Sequence, residues 1–155
     1  RQRQMCIRDR ITTDVIVGFP GETEEEFEAT KEFLERIHFY EMHIFKYSKR
    51  KGTKAAVMPD QVPEQVKTER SKVLLALAQE MSEEFREYYV GRPEEILLEE
   101  TDEIAGNVYF TGYTKEYVKI AVLEAEGEEN ILVKGVVTGR ISADVYRMEN
   151  IEKAE

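Results

Sequence analysis

Residues 14–23, Asp-Val-Ile-Val-Gly-Phe-Pro-Gly-Glu-Thr, constrain the fold of this chain more than any other stretch. A β-branched apolar run enters a glycine–proline turn, and an acidic helix start follows at once. Thr23 and Glu26 have the spacing of a capping box, and Glu24, Glu25 and Glu26 suit the positive end of a helix dipole. Strand, tight turn and helix in that order form one step of an α/β barrel, where ligand-facing groups gather at the C-terminal ends of strands. The continuous apolar character of residues 11–17 predicts a strand covered on both faces. Gly18-Phe19-Pro20-Gly21-Glu22 lacks the Gly-Lys-Ser/Thr ending of a phosphate-gripping loop. Its glycines still let backbone approach a ligand closely, so a plain connecting loop and a ligand contact both remain open.

The rest of the first half continues the pattern. Phe27, Phe33, Leu34 and Ile37 recur at helical spacing and should face the sheet. Residues 41–47 read as a second strand. From Lys46 to Lys54 there are five bases in nine residues and no acid. Such runs are usually solvated, but this one follows a barrel strand directly, where it could contact phosphate. Val62-Pro63 opens a long helix in which Val66, Val73, Leu74, Leu77, Met81, Phe85 and Tyr88 keep a core-like stripe. Gly91-Arg92-Pro93 ends it and marks a domain boundary.

Beyond that boundary the period changes. Segments 96–98, 108–113, 117–123, 131–137 and 143–148 read as five short strands separated by glycines or charged turns, the pattern of a small OB-like barrel. Tyr109, Phe110, Tyr113 and Tyr117 lie near Lys115, Lys119, Lys134 and Arg140, a mixture that either fills a barrel or stacks nucleobases. The predicted fold class is therefore α/β followed by all-β.

Charge cuts against nucleic acid as a partner of the whole surface. The net charge is −10, so any RNA contact requires the bases to share one face. One cysteine, Cys6, excludes an internal disulfide and any cluster held by several thiolates of this chain. His38 and His43 lack a ligand constellation. No Ser/His/Asp arrangement or shielded carboxylate pair is present, and nothing is apolar for long enough to span a membrane. Residues 1–10 carry four bases and one acid without helical or strand period. Met5-Cys6-Ile7-Arg8-Asp9-Arg10 resembles translated adaptor sequence, so residues 1–10 are expected to be a non-native lead rather than a basic RNA-binding arm.

Thr13 to Thr23 resembles the fifth-strand signature of the radical-SAM methylthiotransferase family. His43 to Ala55 resembles its sixth strand and following loop, and Asp60-Gln61-Val62-Pro63 with Lys67-Thr68-Glu69-Arg70 the start of the helix leaving the barrel. The tail resembles the TRAM domain, an RNA-binding module. The resemblance implies residues 11–90 as the C-terminal portion of a radical-SAM partial (β/α) barrel and 91–152 as a five-stranded TRAM barrel. It implies a cytoplasmic tRNA-modifying enzyme using S-adenosylmethionine and two 4Fe-4S clusters, with an electron donor. The cluster cysteines, Cys-x3-Cys-x2-Cys among them, are missing here, so this chain alone should be inactive.

Gly112 to Lys119 resembles the branch that adds a methylthio group to threonylcarbamoyladenosine beside the anticodon. By the same resemblance, Val17, Gly18, Phe19, Phe45 and Tyr47 would line the cofactor. Lys49, Arg50, Lys54, Tyr113, Tyr117 and Lys119 would hold the anticodon stem-loop of tRNA. Two alternatives stay open: a non-catalytic OB-like RNA-binding module, and a piece of an unrelated phosphate-binding α/β-barrel enzyme. An incomplete parallel barrel would also expose a strand edge prone to aggregation.

Overall fold

The computed structural model describes residues 11–154; the lead with Cys6, and Glu155, lie outside the described residues. The chain forms two compact units, one running through Ser82 and the other beginning at Glu83.

The first unit is α/β. Strand β1 (Thr12–Val17) and strand β2 (Glu41–Lys46) pair in parallel, with Ile16 opposite Phe45 and Val17 opposite Lys46. Helix α1 (Glu24–Ile37) connects them. Its capping box is present: Glu26 N donates to Thr23 Oγ1 at 3.2 Å and Thr23 N to Glu26 Oε2 at 3.0 Å. Helix α2 (Glu64–Glu87) starts after Pro63, whose carbonyl accepts from Lys67 N. Val15, Val17, Phe27, Leu34, Leu74 and Met81 belong to one core between the strand pair and the helices.

Three expectations fail here. β1 is covered on one face only: Val15 and Val17 point into the core, while Ile16 and Phe45 are 57% and 53% exposed on the other face. A continuous apolar run cannot reveal which face has a cover. Phe33 is exposed and lies against Phe39 and Arg36 at the rim. Val73 is exposed as well, because the buried stripe of α2 is narrower than its apolar spacing suggests.

The second unit is an antiparallel-rich sheet of six strands, ordered β3-β7-β8-β6-β5-β4. They are β3 (Pro93–Leu97), β4 (Glu100–Ile104), β5 (Asn107–Tyr113), β6 (Lys119–Leu123), β7 (Leu132–Arg140) and β8 (Val145–Lys153). The expected count of five omits β4. Its sequence, Glu-Thr-Asp-Glu-Ile, reads as a charged turn, yet it is an edge strand pairing only with β5. β3 and β4 are two halves of one bent path. At the corner, Leu98 N donates to Ile131 O beside β7, and Glu99 N to Thr111 O on β5. The sheet thereby curls back on itself around Ile96, Leu98, Ile120, Val133, Tyr146 and Met148.

Gly112 and Gly135 are inside β5 and β7. A Cβ on Gly112 would stand 1.9 Å from the carbonyl oxygen of Leu97, and one on Gly135 2.6 Å from Met148 Cγ. These glycines allow the curl rather than end a strand.

Candidate functional site

The turn after β1 is fixed by backbone bonds before any ligand is considered. The peptide between Val17 and Gly18 is held at both ends: its carbonyl accepts from Tyr47 N at 2.9 Å. Its N–H donates to both carboxylate oxygens of Glu22, each at 3.1 Å. Gly18 has φ +71°, in the left-handed region that glycine tolerates. Phe19 O accepts from Glu22 N, and Gly21 N donates to Asp60 O. The turn therefore closes tightly and turns the Phe19 ring outward.

That ring meets Tyr47 edge-on, with centroids 5.4 Å apart. Together with Ile16, Phe45, Lys46, Ser48, Arg50, Thr53 and Ala55 they line a recess of about 500 Å³ at the C-terminal end of the strand pair. Of the five residues expected at a cofactor, Phe19, Phe45 and Tyr47 come together on its wall. Val17 and Gly18 are buried behind it, which leaves recognition to rings and shape. The recess is apolar at its floor and carries a guanidinium at its edge, which suits a flat heteroaromatic ligand with a polar tail. The Tyr47 hydroxyl is buried with no hydrogen-bond partner among the described residues.

The basic loop is more ordered than its composition suggests. Thr53 Oγ1 donates to Arg50 O at 2.8 Å and accepts from Ala56 N at 3.3 Å, just ahead of a short 3-10 turn at Ala55–Val57. Lys49, Arg50 and Lys54 are all exposed, and Arg50 is the one that reaches the recess.

On the six-stranded sheet, Tyr113 and Tyr117 are 42% and 59% exposed, with ring centroids 6.2 Å apart. The expected strand at 117–123 begins only at Lys119, because residues 114–117 form the turn before it. Thr114 is buried and ties that turn: its N–H donates to Val118 O and its hydroxyl accepts from Val118 N. Tyr117 sits at φ +63°, unusual for an aromatic residue and a mark of local strain. Lys119 is not an open cation. Its Nζ lies 2.6 Å from Asp102 Oδ2, a contact that raises the lysine and lowers the aspartate from their usual ranges. Thr111 donates to the same carboxylate.

No family model matches the chain. Among curated proteins it is 46% identical over 125 residues to the threonylcarbamoyladenosine tRNA methylthiotransferase MtaB of Bacillus subtilis, covering 80% of this chain and 27% of that protein. It is 39% identical over 142 residues to the tRNA-2-methylthio-N(6)-dimethylallyladenosine synthase of Acetivibrio thermocellus, covering 88% of this chain and 29% of that one. The synthase of the same name from Opitutus terrae matches at 42% over 131 residues, 84% and 26%. Over the residues matched, the chain is homologous to part of these tRNA methylthiotransferases. It spans less than a third of the length of these relatives.

The metal-ligating residue types of this chain bear on cofactors. Among the described residues no cluster of His, Cys, Asp or Glu could hold a metal ion. The described residues therefore offer no ligand set for an iron–sulfur cluster. His43 is exposed on β2, 3.8 Å from Glu41, and His38 is the left-handed cap of α1. No helix among the described residues is long and apolar enough to cross a membrane.

Sequence reasoning missed the residues that hold the turn. Lys67 Nζ donates to Tyr47 O at 3.1 Å and pairs with Glu64. Arg70 is 6% exposed and pairs with Glu22 at 2.6 Å. Their three-residue spacing places both on one face of α2, a signal visible in Lys67-Thr68-Glu69-Arg70 but indistinguishable there from a solvated face.

Proposed function

We propose that this chain is the closing slice of a radical-SAM barrel followed by a TRAM module. The complete protein would add a methylthio group to threonylcarbamoyladenosine next to the anticodon of tRNA. The observation that carries the reading is the exposed apolar face of the strand pair. Ile16, Phe19 and Phe45 sit where a parallel barrel gathers its ligand, on the side that lacks a cover.

In this reading the recess is half of a binding site. Phe19, Phe45 and Tyr47 form the wall for the adenosine of S-adenosylmethionine, with Val17 and Gly18 as rigid backbone beneath. When bound, S-adenosylmethionine supplies the radical chemistry and the methyl group. The chain's own residues orient the nucleoside and exclude water from it. Lys49, Arg50 and Lys54 meet tRNA phosphates, Tyr113 and Tyr117 stack bases, and Lys119 braces the platform through Asp102. The domain limits are 11–90 for the barrel slice and 91–152 for the TRAM module, with the site of action in the cytoplasm. The two 4Fe-4S clusters and their electron donor belong to portions outside these residues, so this chain by itself is inactive.

The branch on threonylcarbamoyladenosine is favoured by the match to the Bacillus subtilis protein and by the Gly112–Lys119 segment. The test is nucleoside analysis by mass spectrometry of tRNA from a strain lacking its own enzyme and carrying the complete gene. Methylthio-threonylcarbamoyladenosine should appear. Methylthio-isopentenyladenosine in its place would move the protein to the other branch, and neither nucleoside would refute the reading.

A further inference from the structure

We propose that Arg70 and Glu22 form a positioning relay that sets the floor of the recess. It rests on the reading of that recess as the adenosine seat. The Gly18 N–H donates to the Glu22 side chain, and both carboxylate oxygens are used. A carboxylate left to itself could rotate away from this bifurcated position. Arg70 prevents that: Nη1 donates to Glu22 Oε1 at 2.6 Å and to the Glu22 carbonyl at 3.2 Å, locking side chain and backbone of one residue together. Its other arm reaches Glu24 at 2.9 Å, and the guanidinium lies 5.2 Å from the centre of the Phe27 ring.

The two carboxylates are not equivalent. Glu24 is mostly exposed and Glu22 mostly buried, so the Glu22 bond is the one shielded from water and salt. One helical turn before Arg70, Lys67 holds the carbonyl of Tyr47, whose N–H binds Val17 O. The peptide at 17–18 is thus clamped from α2 on both sides, by Arg70 through Glu22 and by Lys67 through Tyr47. Neither base touches the recess; both fix the direction in which Phe19 and Tyr47 project into it.

The test has two parts, hydrogen exchange on the 155-residue chain and ligand binding on the complete gene product. In the first, amide hydrogen exchange is read at Gly18 without ligand. Glu22→Gln and Arg70→Met should speed Gly18 exchange about tenfold or more, the loss expected for one charge-assisted bond. Val133 and Val137 amides should be unchanged, and Glu24→Gln should leave Gly18 protected. Arg70→Lys, which keeps one arm of the pair, should fall between; it serves if Arg70→Met does not fold. Equal Gly18 protection in wild type and Glu22→Gln overturns the relay whatever the ligand does. In the second, S-adenosylmethionine binding to the complete, reconstituted gene product is measured by equilibrium dialysis. Glu22→Gln should weaken binding about tenfold while Thr23→Ala, a comparably destabilising loss of the α1 cap, leaves it within about twofold. Equal weakening by both variants reduces the relay to a structural contact. No response in wild type, with Gly18 protection still dependent on Glu22, overturns the adenosine reading instead.

Discussion

Replacing Gly18 by alanine separates the two reasons for glycine at the β1 turn. At φ +71° a Cβ is strained whatever space surrounds it, which costs about 1 kcal/mol. That Cβ would also stand 2.1 Å from Lys67 Cγ and 2.7 Å from Cδ. Lys67 would have to swing aside and give up its bond to Tyr47 O and its pairing with Glu64, adding about 1–2 kcal/mol. The sum is about 2–3 kcal/mol, a large fraction of a small domain's stability. Gly21 is the internal control: it sits at φ +90°, and a Cβ there would meet nothing within 4 Å. Gly21→Ala should therefore cost only about 1 kcal/mol. Guanidinium unfolding followed by far-UV circular dichroism reads both variants against wild type. Gly18→Ala should exceed Gly21→Ala by about 1 kcal/mol or more. Equal costs would refute the claim that Lys67 packs beneath the turn.

Other outcomes follow from the same geometry. Gly112→Ala should disrupt the barrel, because the obstacle 1.9 Å from its Cβ is backbone at Leu97 that cannot rotate away, whereas Gly139→Ala has open space and should be tolerated; paired thermal melts decide it. Tyr47→Phe removes a buried hydroxyl without a partner and should leave stability unchanged or raise it by about 1 kcal/mol, again read from melts. Asp102 is held below its usual range by the Lys119 hydrogen bond, so its contribution is present above the unfolded pKa and fades as pH falls below about 3.9. Lys119 is raised by the same contact, so its share is present below the lysine range and fades above about 10.4. Asp102→Asn should flatten both flanks of a melting-temperature profile against pH. Arg50→Glu should weaken anticodon stem-loop binding by the complete enzyme and reduce its salt slope by about 1, measured by fluorescence anisotropy.

The sequence carried the local rules well. The cap at Thr23, the parallel strand pair and the long helix after Pro63 each follow from residues within one turn or strand. What escaped it was set at a distance. The exposure of Ile16 and Phe45 depends on what lies across the sheet, not on their own run. The strand at 100–104 is legible only once β5 is known to lie beside it. Arg70 looks like any exposed helical base until Glu22, 48 residues earlier, is brought under it. The need for glycine at 112 and 135 is hidden because the neighbours that require it, Leu97 and Met148, come from other strands. The aromatic platform was legible as a pair of rings, but the Asp102 partner of Lys119 lay in the strand that the pattern concealed.

The central claim is that Ile16, Phe19 and Phe45 face the cofactor of an iron-dependent tRNA enzyme. Metal analysis of the complete gene product, purified and reconstituted without oxygen, tests it most directly. The account predicts two four-iron clusters, about eight irons per polypeptide, and loss of one cluster when the Cys-x3-Cys-x2-Cys residues are replaced. A complete product that contains no such cysteines and binds no iron would contradict it.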